Sequence, residues 1–340
     1  MIGSTGGPGI RRRRRRNGGA EGVLGLIVLL QTLIVAVTGP PTSPEYLPLR
    51  VADVEGHFTR EGLSVVLKTT RAEVGAAEAL AQGQVDLAAT SLEAILRFGP
   101  RQPRQMSKLV LGLTAAPPVA LLATKSLDGT LTSVKSLVGL RIGVATPGAP
   151  EHAWLNALLA RAGITMTQVE LVSLGTRALV AGLESGDVQA GLVAEPNVSR
   201  LMNDSAAGVL ADLRSPEAVV ATLGFPTINA GVFGRSDRMP RDATLAAFAR
   251  AVLAAERVII GAPTEDVAAR WPASLVGAPD EFARRLAATR EIYLPDGTVS
   301  PVQLTETVDL IRAYGPLPGT LKMPKPEEFI HRGALQRRSR

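Results

Sequence analysis

Two short stretches far apart in the chain, LAQGQVDLA at Leu80–Ala88 and LESGDVQAG at Leu183–Gly191, each close a helical run on a glycine and open an apolar strand on a valine. A glycine just past the last helical residue supplies the left-handed turn that stops a helix, and a β-branched residue favours the strand that follows. Because the two stretches occupy equivalent points of two αβ runs, they divide the chain into two similar lobes.

The first run reads as a strand at Leu33–Val37, a short helix at Leu49–Glu55, a strand at Leu63–Thr69, a helix at Val74–Gln82 and a short strand at Val85–Ala89. A capping box over Thr90–Glu93 starts a helix at Leu92–Phe98, and strands at Lys108–Thr114 and Val119–Thr124 lead into a polar break. The second run repeats the order with a strand at Arg141–Ala145, a helix at Pro150–Arg161, a strand at Val169–Ser173, a helix at Thr176–Glu184 and a strand at Val188–Val193. After Leu213 a strand-like FPTINAGVFGRSD returns toward the first lobe. Helices then follow at Leu245–Ile260, Glu265–Trp271, Asp280–Tyr293 and Pro301–Tyr314. The alternation of helices with short strands in both halves places the chain in the α/β class.

Within the second run, Leu140–Trp154 (LRIGVATPGAPEHAW) forms a strand–turn–helix corner. Pro150 suits the first helical position, where no backbone donor is needed, and Glu151 sits favourably in the first turn. The N–H groups left over at such a helix start can hold a ligand group.

Composition removes several function classes. The chain has no cysteine, which excludes disulfides, thiolate metal sites, a cysteine nucleophile and a lipid-modified N-terminal cysteine. The net charge of +6 invites a nucleic-acid reading, yet ten of the 37 basic residues lie in two tails, Arg11–Arg16 and Arg332 to Arg340. Without those ten, 27 basic residues face 31 acidic ones, and only 4% of residues are aromatic, so no nucleic-acid groove is expected. The arginine run followed by the apolar Val23–Val37 fits the charged and apolar regions of a secretory signal, and is short for a membrane span. Leu33–Val37 also reads as the first buried strand, so cleavage after Ala36 or Gly39 would damage it. Val23–Gln31 is therefore taken as the remains of an export signal.

Four stretches together resemble the type II periplasmic substrate-binding proteins of ABC importers, in the branch serving sulfonates, nitrate, aromatic carboxylates and thiamine pyrimidine precursors. They are EYLPLRVADVEGHFTREGL, ALAQGQVDLAATS, LVGLRIGVATPGAPEHAWLNALLARAGI and LVAGLESGDVQAGLVAEP. The resemblance implies two αβ lobes, each with a mixed sheet flanked by helices, joined by two crossovers near Val119–Lys125 and Pro226–Gly234. It also implies a hinge that closes on a small molecule and presents it to a membrane ABC permease. On this reading residues 1–31 are an export signal or N-terminal anchor, 32–122 and 225–325 form the first lobe, 123–224 the second, and 326–340 a loose basic tail. The protein is expected to be an extracytoplasmic monomer, tethered if the N-terminal segment stays uncleaved, with no cofactor and no metal.

Ligand contacts are expected from loops at the strand ends facing the cleft. These give Thr42, Ser43 and Tyr46 after the first strand, Thr90 and Ser91 after another, Thr146, Gly148, Ala149 and His152 at the corner, then Thr176, Glu195 and, in the returning crossover, Asn229. Glu93, Glu151 and Glu195 lie in these loops with Arg177 the only evident basic candidate, a balance that disfavours a dianion and favours a neutral or amine-bearing heterocycle. An enzyme on the same fold is the alternative, resembling a thiamine-pyrimidine synthase or a menaquinone-pathway enzyme. The synthase branch uses a cysteine-rich motif that this chain lacks. No G-x-S-x-G, H-E-x-x-H or P-loop motif occurs, and the three histidines are scattered. A binding module that feeds a sensor is a third reading.

Overall fold

A computed structural model describes residues 3, 31–127, 129–145, 151–317, 321 and 325–335. In chain order the first part forms β1 (Gln31–Thr38), α1 (Leu47–Val54), α2 (His57–Arg60), β2 (Leu63–Thr70), α3 (Glu73–Ala81), β3 (Leu87–Ser91), α4 (Leu92–Phe98) and β4 (Ser107–Thr114). The second comprises β5 (Val119–Thr124), β6 (Arg141–Val144), α5 (Glu151–Arg161), β7 (Glu170–Ser173), α6 (Thr176–Ser185), β8 (Ala190–Ala194), α7 (Asn197–Asn203), β9 (Ala207–Asp212) and α8 (Pro216–Leu223). The chain returns through β10 (Ala230–Arg235) to α9 (Asp242–Gly261), α10 (Thr264–Arg270), α11 (Ala273–Val276), α12 (Pro279–Thr289), α13 (Pro301–Tyr314) and α14 (Pro326–Phe329).

Two five-stranded mixed sheets result, ordered β2-β1-β3-β10-β4 and β7-β6-β8-β5-β9. They are the same arrangement twice. Three parallel strands (β2-β1-β3 or β7-β6-β8) are followed by one antiparallel strand, β10 or β5, which reaches its sheet through a crossover from the other lobe. The repeated sequence stretches fall at equivalent places, since α3 feeds β3 and α6 feeds β8. Gly83 and Gly186, at φ 69 and 83, make the left-handed turns that stop the two helices. β3, β5 and β10 are buried along their whole length, as strands covered on both faces must be, which is why they read as continuous apolar runs.

Several boundaries differ from the sequence reading. β1 begins at Gln31, one residue inside the assigned export signal, because its parallel register with β2 starts with Gln31 opposite Leu63. β5 belongs wholly to the second sheet, between β8 and β9, so a lobe boundary at 122 cuts through it. The first crossover is instead the segment Ala115–Pro118. The stretch after Glu195 holds α7, β9 and α8, which the sequence reading passed over. α8 carries its own signal in Ser215, whose hydroxyl accepts from Ala218 N at 3.1 Å, followed by Pro216 at the first helical position and Gly224 past the end. The basic tail is not loose from 326 onward. Phe329 is buried against Phe233, Ile330 bridges to Leu109, and Lys108 Nζ donates to the Glu328 carbonyl.

The two crossovers are tied to each other and to α13. Thr227 Oγ1 donates to the Ala115 carbonyl at 2.7 Å, and Asn229 N donates to the Thr114 carbonyl at 2.9 Å. Thr307 Oγ1 accepts from Ile228 N at 2.9 Å, and Gln303 Nε2 donates to the Thr227 carbonyl at 3.2 Å. From the second lobe, Asn156 of α5 donates to the Tyr314 carbonyl at the end of α13 at 2.9 Å. The hinge is therefore a bonded junction of the two crossovers with α13.

Candidate functional site

In open α/β sheets, ligands gather beyond the carboxyl ends of the parallel strands. In the first lobe, the loop after β1 turns through Pro44–Tyr46, where Tyr46 is buried and its hydroxyl donates to Glu73 Oε1 at 2.7 Å. Ser91, ending β3, donates to Glu73 Oε2 at 2.6 Å, and Thr90 Oγ1 donates to the Glu73 carbonyl at 3.0 Å. Three expected site residues thus meet on Glu73, the first residue of α3, which the sequence reading did not single out. Its place after β2, at the carboxyl end of a parallel strand, was the available signal.

The cap of α4 also differs from expectation. Thr90 remains in β3, paired opposite Gly231, so it cannot cap the helix. Ser91 is the N-cap, its hydroxyl accepting from Ala94 N at 3.2 Å while donating to Glu73. Thr42 and Ser43 are half-buried in the turn after β1, where Ser43 N donates to the Pro40 carbonyl at 2.9 Å.

Glu93, two residues into α4, is 4% exposed. Its Oε1 accepts from Arg97 Nη1 at 3.2 Å, and its Oε2 is buried with no hydrogen-bond partner. With Ser91 and Asn229 it lines a small pocket closed on the other side by Ala153 and Trp154 of α5, so both lobes face each other there. Asn229 also accepts from Leu92 N through its carbonyl at 2.9 Å, which locks the second crossover to the start of α4.

In the second lobe, Glu151, His152 and Thr176 line a cavity of about 80 Å³ whose walls are Val144, Leu179 and Leu192 among others. Thr176 does not cap α6: Gly175, at φ 76, is the N-cap, and Thr176 is the exposed first helical residue beside the exposed Arg177. Thr146, Gly148 and Ala149 lie outside the described residues. Glu195 is buried with both oxygens engaged. Oε1 accepts from Arg214 Nη1 at 2.7 Å and Ser199 Oγ at 2.8 Å, and Oε2 accepts from Ser199 N at 3.1 Å.

The electrostatics are those of an acidic wall. Burial pushes the Glu73 carboxyl up to about 8, and the facing Glu151 adds to the rise. Burial likewise raises Glu45 to about 7, with Glu151 and Glu195 pushing in the same direction, and Glu93 to about 7 against the pull of Arg97. Glu151 is itself raised by burial. Carboxyls contributed by both lobes are thus raised above the ordinary carboxylate value, chiefly by burial. Among the described residues, no group of three or more acidic or histidine side chains is arranged to hold a metal ion.

A protein-family model described as NMT1/THI5 like matches residues 43–266. The taurine-binding periplasmic protein of Escherichia coli (strain K12) is 27% identical over 240 residues, covering 68% of this chain and 71% of that one. Among solved structures, the periplasmic aliphatic sulphonate binding protein SsuA from Escherichia coli superposes with a TM-score of 0.71 at 16% identity, over 88% of this chain and 97% of that one. The periplasmic nitrate-binding protein NrtA from Synechocystis PCC 6803 superposes with a TM-score of 0.56 at 12% identity, over 76% and 70% of the two chains. The two mixed sheets and their crossovers are those of the periplasmic binding protein fold.

Proposed function

The chain belongs to the NMT1/THI5 like family, and on that premise we propose that it is an extracytoplasmic solute-binding protein that captures a small organic molecule between its lobes and delivers it to an ABC permease. The observation that carries this reading is the convergence of side chains from both lobes on one interlobe space, with the lobes joined through paired crossovers, the packing of α5 on α13 and that of α7 on α12. Such a junction lets two rigid sheets rotate about a few loop residues, and a ligand touching both sheets favours the closed arrangement. The protein acts as a monomer and carries out no chemistry on what it binds.

Capture and conversion are separable by counting. Full-length protein incubated with a mixture of small amines, sulfonates and nitrate, washed, denatured and analysed by mass spectrometry is expected to release one unchanged molecule per chain. Product accumulating beyond one equivalent would instead identify an enzyme on this fold.

A further inference from the structure

Glu93 sits where the lobes touch. Its carboxyl shares a pocket of about 10 Å³ with Ser91, Asn229 and Thr307 on one side and with Ala153 and Trp154 of the second lobe on the other. A water needs about 10–15 Å³ of such space, so at most one fits beside the carboxyl. Oε1 accepts from Arg97 Nη1 at 3.2 Å, whereas Oε2 is buried and receives no hydrogen bond. A carboxylate offers about four acceptor sites, and a single guanidinium contact leaves most of them empty. Burial therefore works against the ionised form and pushes the group up to about 7, even with Arg97 pulling the other way.

The second-lobe wall of this pocket stands on α5. Rotation of the lobes about the crossovers carries Ala153 and Trp154 away from α4 and admits water to Oε2, while Arg97, on the same helix as Glu93, stays in place. The packed arrangement thus favours a proton on Glu93, and the parted arrangement favours the charge. Neighbouring charges do not reverse this preference. From α5, Glu151 pushes Glu93 further up. From α3, packed on α4, comes Glu73, whose oxygens accept from Tyr46 and Ser91. β3 carries no charge, Arg235 at the far end of β10 is bonded to Asp237, and the pocket-lining residues of α13 and the second crossover are uncharged.

We propose that Glu93 is a proton-operated latch: the lobes pack together while it holds a proton and part as the proton leaves. The latch rests on the solute-binding reading above and adds to it a control of capture by acidity. Its sign follows from linkage. With 4.5 for the ordinary, water-exposed group and about 7 for the buried one, only the packed arrangement holds the proton between those values. The ratio of packed to parted chains therefore falls by about tenfold per pH unit from about pH 5 to pH 7. Below that window both arrangements are protonated and above it both are ionised, so the ratio is level on either side.

The test follows the lobes of the full-length, ligand-free protein through pH. Val66→Cys and Val138→Cys place one dye on each lobe of a chain that has no other cysteine. Energy transfer is expected to change steadily from about pH 5 to pH 7 and to level off by about pH 8, whereas adding Glu93→Gln, neutral at every pH, is expected to hold the acid value throughout. Transfer that does not vary with pH, or that varies equally with and without Glu93→Gln, overturns the latch. Either result leaves the solute-binding reading standing, since the mass-spectrometric count judges that separately. Should the Glu93→Gln chain fail to fold, Trp154 decides. Trp271→Phe leaves it as the sole indole, and its emission is expected to move to the red over the same pH range as water enters the pocket. Emission that stays fixed from pH 5 to pH 8 overturns the proposal.

Discussion

Arg214→Ala is expected to lower the unfolding free energy by about 3–5 kcal/mol, the cost of stranding a buried carboxylate. Arg214 is the sole cation bonded to Glu195 among the described residues, and the Glu195 side chain has no exposed surface. The same guanidinium grips Asp212 in a fork, Nε to Oδ1 at 2.9 Å and Nη2 to Oδ2 at 2.7 Å. Burial works to raise the Asp212 carboxyl, but the Arg214 hydrogen bonds outweigh it and hold that group below its ordinary value. The pair joins the end of β9 to the start of α7, so its loss loosens the second lobe at the edge of its sheet. The double variant Arg214→Met with Glu195→Gln removes the charge stranded at position 195, leaving only the partly exposed Asp212 without its partner, and is expected to lose less than Arg214→Ala alone. Urea unfolding of the three proteins makes the comparison. Equal losses for the single and double variants would show that the buried charge is not what matters.

The second large effect is a fall in stability as pH rises through neutrality. Glu45 and Glu93 stand at about 7 and Glu73 at about 8, against 4.5 for an ordinary glutamate. A carboxyl raised in the folded state contributes stability that is fully present below its unfolded value and disappears as pH climbs through its folded value. Between about pH 5 and pH 8 each such group removes about 1.4 kcal/mol per pH unit while it remains protonated only in the folded chain. His57 opposes the trend. Burial lowers it, followed by the effect of Arg60, so folding excludes its proton and its contribution grows with pH. One histidine against several carboxyls leaves the net slope downward. Calorimetric Tm of the ligand-free protein is expected to drop by roughly 3 °C per pH unit for each carboxyl involved, with Glu73→Gln flattening the curve. A Tm that holds or climbs from about pH 6 to pH 8 would mean that the wall is ionised in the free protein.

Much of the fold was legible because its signals are local. β2, β5 and α13 fall where period and capping residues put them, and the glycine-closed α3 and α6 exposed the duplication. The misplaced cap at Thr90 shows the limit of local rules, since only pairing with β10 reveals that Thr90 belongs to a strand. β9 was missed for a similar reason. Its AGVLAD sequence is weakly apolar, and it becomes a strand by joining the exposed side of β5. At the site, Tyr46, Thr90 and Ser91 were visible as polar groups at strand ends, but their shared partner Glu73 was not, because separations of 27, 17 and 18 residues connect them only through the sheet. Glu195 was visible as a polar group at a strand end, whereas its engagement by Arg214 depends on β9.

The measurement that bears most directly on the account is the motion of one lobe against the other on ligand capture. The chain has no cysteine, so Val66→Cys on β2 and Val138→Cys ahead of β6, at positions 50% and 53% exposed, give one dye site on each lobe. With the compound retained in the mass-spectrometric capture added to saturation, energy transfer between the dyes is expected to shift to a single new value and to return when the compound is dialysed away. Transfer that stays unchanged while the compound is bound one per chain would contradict capture by closure of two lobes.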